Sequence, residues 1–129
     1  MECIGTNDIA KLKMYRKIKE DLIIGEANIK QIIYTTWDNK FYYACIITEG
    51  LGNWERLKPS VFEKFGEGRR LTTNISTEQY LWDGDIINMI LEYNKISEMG
   101  ILDIRSEQIE KQKDEYDKQK AKEGAEKDF

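Results

Sequence analysis

The chain contains no histidine. That absence removes the commonest general base, the usual Ser-His and Cys-His nucleophile pairs, and the commonest transition-metal ligand. It has two cysteines, Cys3 and Cys45, too few for a disulfide framework. Cys45 lies in an apolar run and, without a basic partner, reads as a small buried hydrophobe rather than a nucleophile. Pro59 is the sole proline, so strong punctuation of the fold is scarce. No apolar run reaches the roughly 20 residues needed to cross a bilayer. Met1 to Ala10 lacks the basic start and apolar core of a signal peptide, so a cytoplasmic location and no membrane partner are expected.

Sequence signatures of chemistry are also sparse. Gly50-Leu51-Gly52 is only a GxG, without the third glycine of a dinucleotide site, and no P-loop is present. Asp83-Gly84-Asp85 resembles a fragment of a calcium loop, but the remaining ligands are not at the required spacing. Nothing in the spacing of the 24 acidic residues singles out an acid/base pair. The expectation is no enzyme, no catalytic residue, no metal and no cofactor.

What is present is charge, aromatic rings and length enough for one domain: 129 residues with 34% charged side chains. The net charge of −4 is unevenly spread. Lys11, Lys13, Arg16, Lys17 and Lys19 form a basic segment with no acid. Between Ile75 and Ile104, six acids face one lysine, Lys95. A positive and a negative region follow.

Hydrophobic periodicity gives an α+β expectation. Ile9, Leu12, Tyr15, Ile18, Leu22 and Ile23 recur at helical spacing and predict a helix over about 7–24, closed by Gly25. Residues 29–48 read as an antiparallel hairpin, two β-branched and aromatic runs around Asp38-Asn39-Lys40. Its apolar residues point to both faces, so one face is expected to pack on helices and the other to meet a second layer or a partner. Glu49 to Asn53 reads as a loop by its glycines. Ser60 and Glu63 form a capping-box pattern for a short helix ended by Gly66 and Gly68. One or two short strands are expected over about 70–82, with Tyr80-Leu81-Trp82 read as strand. Ile86, Ile87, Ile90, Leu91, Tyr93 and Ile96 predict a helix over 86–99, capped by Asp85 and by Gly100. The expected architecture is a small antiparallel sheet packed against these two helices. Residues 1–104 make the domain, and 105–129 a charged helical or disordered tail.

The aromatic and charged residues supply the candidate sites. Trp54, Tyr42, Glu78, Trp82, Asp83 and Asp85 are candidates for contact with a partner protein, the rings as anchors and the acids as a mimic of nucleic-acid charge. Gly66-Glu67-Gly68-Arg69-Arg70 suggests a second reading: Arg69 and Arg70 hold the phosphate of a nucleotide or similar anion while Trp54 or Trp82 stacks on a base. A third uses the Lys11–Lys19 basic helix for nucleic acid, against the acidic net charge. Self-association is open. In its small size, lack of motifs, charged tail and Ile/Lys/Asn-heavy usage, the chain resembles accessory proteins of phages and mobile elements from AT-rich genomes. The resemblance implies an inhibitor that blocks a host protein.

Overall fold

The computed structural model describes residues 2–7, 11–17, 23–71 and 75–128. The chain first lays down β1 (Glu2–Asn7) and β2 (Leu12–Lys17), then a two-residue pair, β3 (Ile23–Ile24) and β4 (Ala27–Asn28), that forms its own small ribbon. The long hairpin β5 (Gln31–Trp37) and β6 (Lys40–Glu49) follows, then α1 (Leu51–Phe65). Strands β7 (Arg69–Arg70), β8 (Thr77–Trp82), β9 (Ile87–Asn94) and β10 (Met99–Ser106) lead into α2 (Glu107–Asp128). Eight strands form one antiparallel sheet in the order β1-β2-β5-β6-β10-β9-β8-β7. Helix α1 carries the chain from the middle of the sheet to its far edge, and a meander brings it back until β10 pairs with β6.

This overturns the small sheet packed on helices expected from the sequence: strand dominates, and none of the described residues of either predicted helix is helical. Residues 86–99 show why. Ile87, Met89, Leu91 and Tyr93 alternate with Asn88, Ile90, Glu92 and Asn94, a period of two that the helical reading obscured. The residues that reading relied on at its ends, Ile86 and Ile96, are 70% and 82% exposed. Gly100 is no helix cap; it lies within β10 opposite Thr48 and Tyr93. Over 7–24 the described part is also strand, because Leu12–Lys17 pairs with Ile32–Trp37. The rest of that predicted helix, residues 8–10 and 18–22, lies outside the described residues. Alternation sends Lys13 and Arg16 to opposite faces, so the basic helix surface does not form.

The 29–48 hairpin stands. Asp38 and Asn39 both take left-handed φ, 51° and 62°, as a two-residue type I′ turn requires. Tyr80–Trp82 is strand, within β8. The helix expected near Ser60 starts nine residues earlier, at Leu51, and runs through Pro59. Ser60 Oγ donates to the Arg56 carbonyl at 3.0 Å instead of capping an N-terminus. Gly66, at φ 82°, closes the helix by donating its N–H to Phe62 O.

Helix α1 covers one end of one sheet face. Trp54, Leu57 and Val61 bury against Ile46, Tyr80, Leu91, Tyr93 and Leu102, with Ala27 and Ile29 at the side. Fully burying a side chain of this kind contributes about 1.5–3 kcal/mol, so this cluster is the main source of stability. Trp54 stacks on Tyr93 with ring centroids 5.2 Å apart, and Phe62 meets Tyr80 edge-on at 5.0 Å.

Helix α2 lies on the opposite face. Ser106 Oγ accepts the Ile109 N–H at 3.4 Å, and Glu107 and Glu110 sit in the first turn, where the helix dipole favours acids. Tyr116 reaches Trp37 at 5.9 Å, and Lys11 Nζ lies 4.4 Å from the Tyr116 ring centre. Among the described residues, no helix is long and apolar enough to cross a membrane.

Candidate functional site

On the face that α1 half covers, register aligns a second apolar group at the uncovered end. Tyr15 pairs with Tyr34, Tyr34 with Ala44, and Ala44 with Ile104. Ala44 is small and its neighbours in the row are large, so the sheet surface dips there. A bulge opposite Thr35 and Thr36 leaves Tyr42 unpaired and returns Phe41 to the same side. Phe41 then meets Tyr34 at 5.9 Å and Tyr15 at 6.3 Å. The result is an open depression of about 530 Å³ whose lining includes Tyr34, Phe41, Ala44, Ile87 and Ile104. Phe41 and Ile87 remain 55% and 51% exposed, large apolar surfaces with no cover among the described residues.

An acidic depression adjoins it. Asp83, Gly84, Asp85, Asn88, Glu107 and Lys111 line a space of about 650 Å³. The two depressions share no residue but take consecutive ones, Ile87 and Asn88, Ser106 and Glu107, so they lie at the same end of the sheet. Asn88 fixes the acidic turn: its Oδ1 accepts the Gly84 N–H at 2.9 Å, and its Nδ2 donates to Glu107. Asp83 makes an exposed ion pair with Arg69 at 3.2 Å. Among the described residues, no group of three acid, cysteine or histidine side chains is placed to hold a metal ion.

The residues singled out from sequence are not one site. Trp54 is 3% exposed and stacked in the core, with no ring face free for a base or a partner. Trp82 is half-buried, its Nε1 donating to Gly66 O at 3.1 Å. Tyr42 is the bulge residue on the α2 side. Glu78 sits beside α1, where its Oε2 accepts from Lys58 Nζ and from Tyr80 OH, both at 2.7 Å. Asp83 and Asp85 share the acidic turn, both exposed. Arg69 and Arg70 are successive strand residues, so they leave opposite faces: one pairs with Asp83 and the other lies 5.9 Å from the Tyr80 ring. They do not form a joint phosphate clamp.

The buried polar groups of the opposite face hold their protons. Tyr43 OH donates to Asp103 Oδ1 at 2.6 Å. Burial, and then the Asp103 charge beside it, push the Cys45 thiol up to about 12. Burial and the same carboxylate raise Tyr43.

Sequence reasoning missed Tyr34, Phe41, Ala44, Ile87 and Ile104 as site residues. The available signal was the hairpin's apolar residues on both faces, which implied one face without an obvious cover. No family model, curated protein or solved structure matches the chain.

Proposed function

We propose that this is a non-catalytic binding protein that occupies and blocks a partner protein in the cytoplasm, with the aromatic depression as anchor and the acidic turn beside it as selector. The observation that carries this reading is that both lie at the same end of the sheet, on either side of the 83–88 turn. Residues 83–88 place Asp83 and Asp85 next to exposed Ile86 and Ile87, and Ile87 forms one wall of the depression. A complementary partner inserts an apolar side chain against Tyr34 and Phe41 and sets lysine or arginine opposite the acids. Rings and aliphatic walls carry most of the affinity at such a centre, and the rim charges mainly govern approach and choice of partner.

The test is capture of a partner by the tagged full chain from the lysate of its source cell, compared across variants. Phe41 and Ile87 are half exposed, so Phe41→Ser with Ile87→Ser is expected to keep the fold, which a circular-dichroism melt of the variant checks. Loss of an anchor pair is expected to lower affinity at least about tenfold. Asp83→Lys with Asp85→Lys is expected to slow association, most strongly at low salt. Retention of the partner at wild-type yield by both double variants would reject this surface.

A further inference from the structure

We infer that the face opposite the depression holds a site for a free α-amino acid with an apolar side chain. Its floor is a row across four strands: Met14 pairs with Thr35, Thr35 with Tyr43, and Tyr43 with Arg105. Leu12 flanks the row, and Glu110 in the first turns of α2 closes over it. The cavity measures about 280 Å³. That is just under the roughly 300–1,000 Å³ usual for drug-sized ligands, which suits a small metabolite.

Two opposite charges line this cavity, and among the described residues neither makes an ion pair, although Lys113 lies near enough to Glu110 to feel its charge. Glu110 Oε2 is shielded from solvent and accepts no hydrogen bond. A desolvated carboxylate oxygen is costly unless a donor meets it, and an orphan of this kind in a native fold asks for an explanation. The Arg105 guanidinium rests 4.9 Å from the Tyr43 ring centre. No carboxylate pairs with it among the described residues, although the ion pairs elsewhere in the protein are well formed. Its planar fork therefore remains available for bidentate binding of a carboxylate.

One ligand class answers both needs. The ammonium of an amino acid donates to Glu110, its carboxylate accepts from Arg105, and its side chain lies on Leu12 and Met14. An amine alone leaves Arg105 unpaired, and a carboxylic acid alone leaves Glu110 unpaired. A phosphate is repelled by Glu110. Tyr42, Tyr43 and Arg105 also border the depression, whereas Leu12, Met14, Thr35 and Glu110 line this cavity alone.

The experiment is an amide-shift NMR titration of the full chain with L-leucine and L-methionine. Two half-ligands, 3-methylbutylamine and 4-methylpentanoate, each lack one charged group of leucine. Saturable shifts confined to residues around Leu12, Thr35 and 105–110 are expected, with both half-ligands binding at least roughly tenfold more weakly. Glu110→Gln and Arg105→Gln should each weaken leucine binding by a similar factor while leaving distant amides unmoved. No saturable shift up to about 10 mM amino acid, or a half-ligand binding as tightly as leucine, would overturn the inference. Since the half-ligand comparison needs no variant, it decides the matter even if a substitution disturbs α2.

Discussion

Replacing Gly100 with alanine separates backbone propensity from packing, because the two give opposite signs. Glycine within a strand is destabilising by roughly 0.5–1 kcal/mol relative to alanine, so propensity alone favours the change. The surroundings oppose it. A Cβ at this position would stand 2.5 Å from Thr48 Oγ1 and 3.2 Å from Trp54 Cε3. Neither neighbour can easily withdraw. Thr48 is 0% exposed and its hydroxyl bonds the Gly100 carbonyl at 3.3 Å, while Trp54 is stacked on Tyr93. Overpacking of this kind costs about 1–3 kcal/mol. If Thr48 rotates to escape, its buried hydroxyl loses its acceptor at a further cost of about 1–3 kcal/mol. The expected net loss is about 2–3 kcal/mol, a fall in Tm of roughly 6–15 °C for a domain of this size. Thermal and urea unfolding followed by circular dichroism measure it. Gly52→Ala is the control: its Cβ meets open space within α1, so stability should hold or rise slightly. On a Thr48→Ala background, the Gly100→Ala penalty should shrink sharply, since the closest contact is gone. A Gly100→Ala protein melting at or above wild type would refute the packing argument. An unchanged penalty on the Thr48→Ala background would refute its assignment to the Thr48 hydroxyl.

Two further outcomes concern titrating groups. Burial pushes the Glu78 carboxyl up, but the hydrogen bonds from Lys58 and Tyr80 outweigh it and hold it below the ordinary carboxylate value. A depressed folded value means the stabilisation is present above the unfolded pKa of about 4.3 and fades as pH falls through the folded one. Glu78→Gln should therefore cost about 1–2 kcal/mol near pH 7, with its unfolding curve converging on wild type in acid; a gap independent of pH would contradict the charge-assisted pairing. Cys3 is exposed and Cys45 is held protonated to about pH 12. A thiol reagent at pH 8 should thus find one fast equivalent in the native protein and two in denaturant, and equal native rates for both thiols would count against the Asp103 environment.

Much of the chemistry is legible without the fold. The absence of histidine, the lack of phosphate and metal motifs, and the turn at Asp38-Asn39 follow from residue identity and nearest-neighbour geometry. So does strand over Gln31–Trp37 and Lys40–Glu49, where β-branched and aromatic residues leave few conformational options. Residues 86–99 mislead because isoleucine and leucine on both faces of a strand satisfy a helical period as readily as an alternating one. The choice is made by pairing with Met99–Ser106 and Thr77–Trp82, contacts that no local window contains.

The sites depend even more on long-range register. In sequence, Trp54 on a glycine loop has the marks of an exposed anchor. Helix α1 starts just after Gly50 instead and turns that ring into the core against Tyr93, from a distant strand. Composition by itself determined that the protein is acidic, rich in rings and without histidine. Only tertiary pairing decided which rings face solvent: a one-residue change of register exchanges the two faces of a strand, and the row Tyr15–Tyr34–Ala44–Ile104 exists solely because four separate segments align.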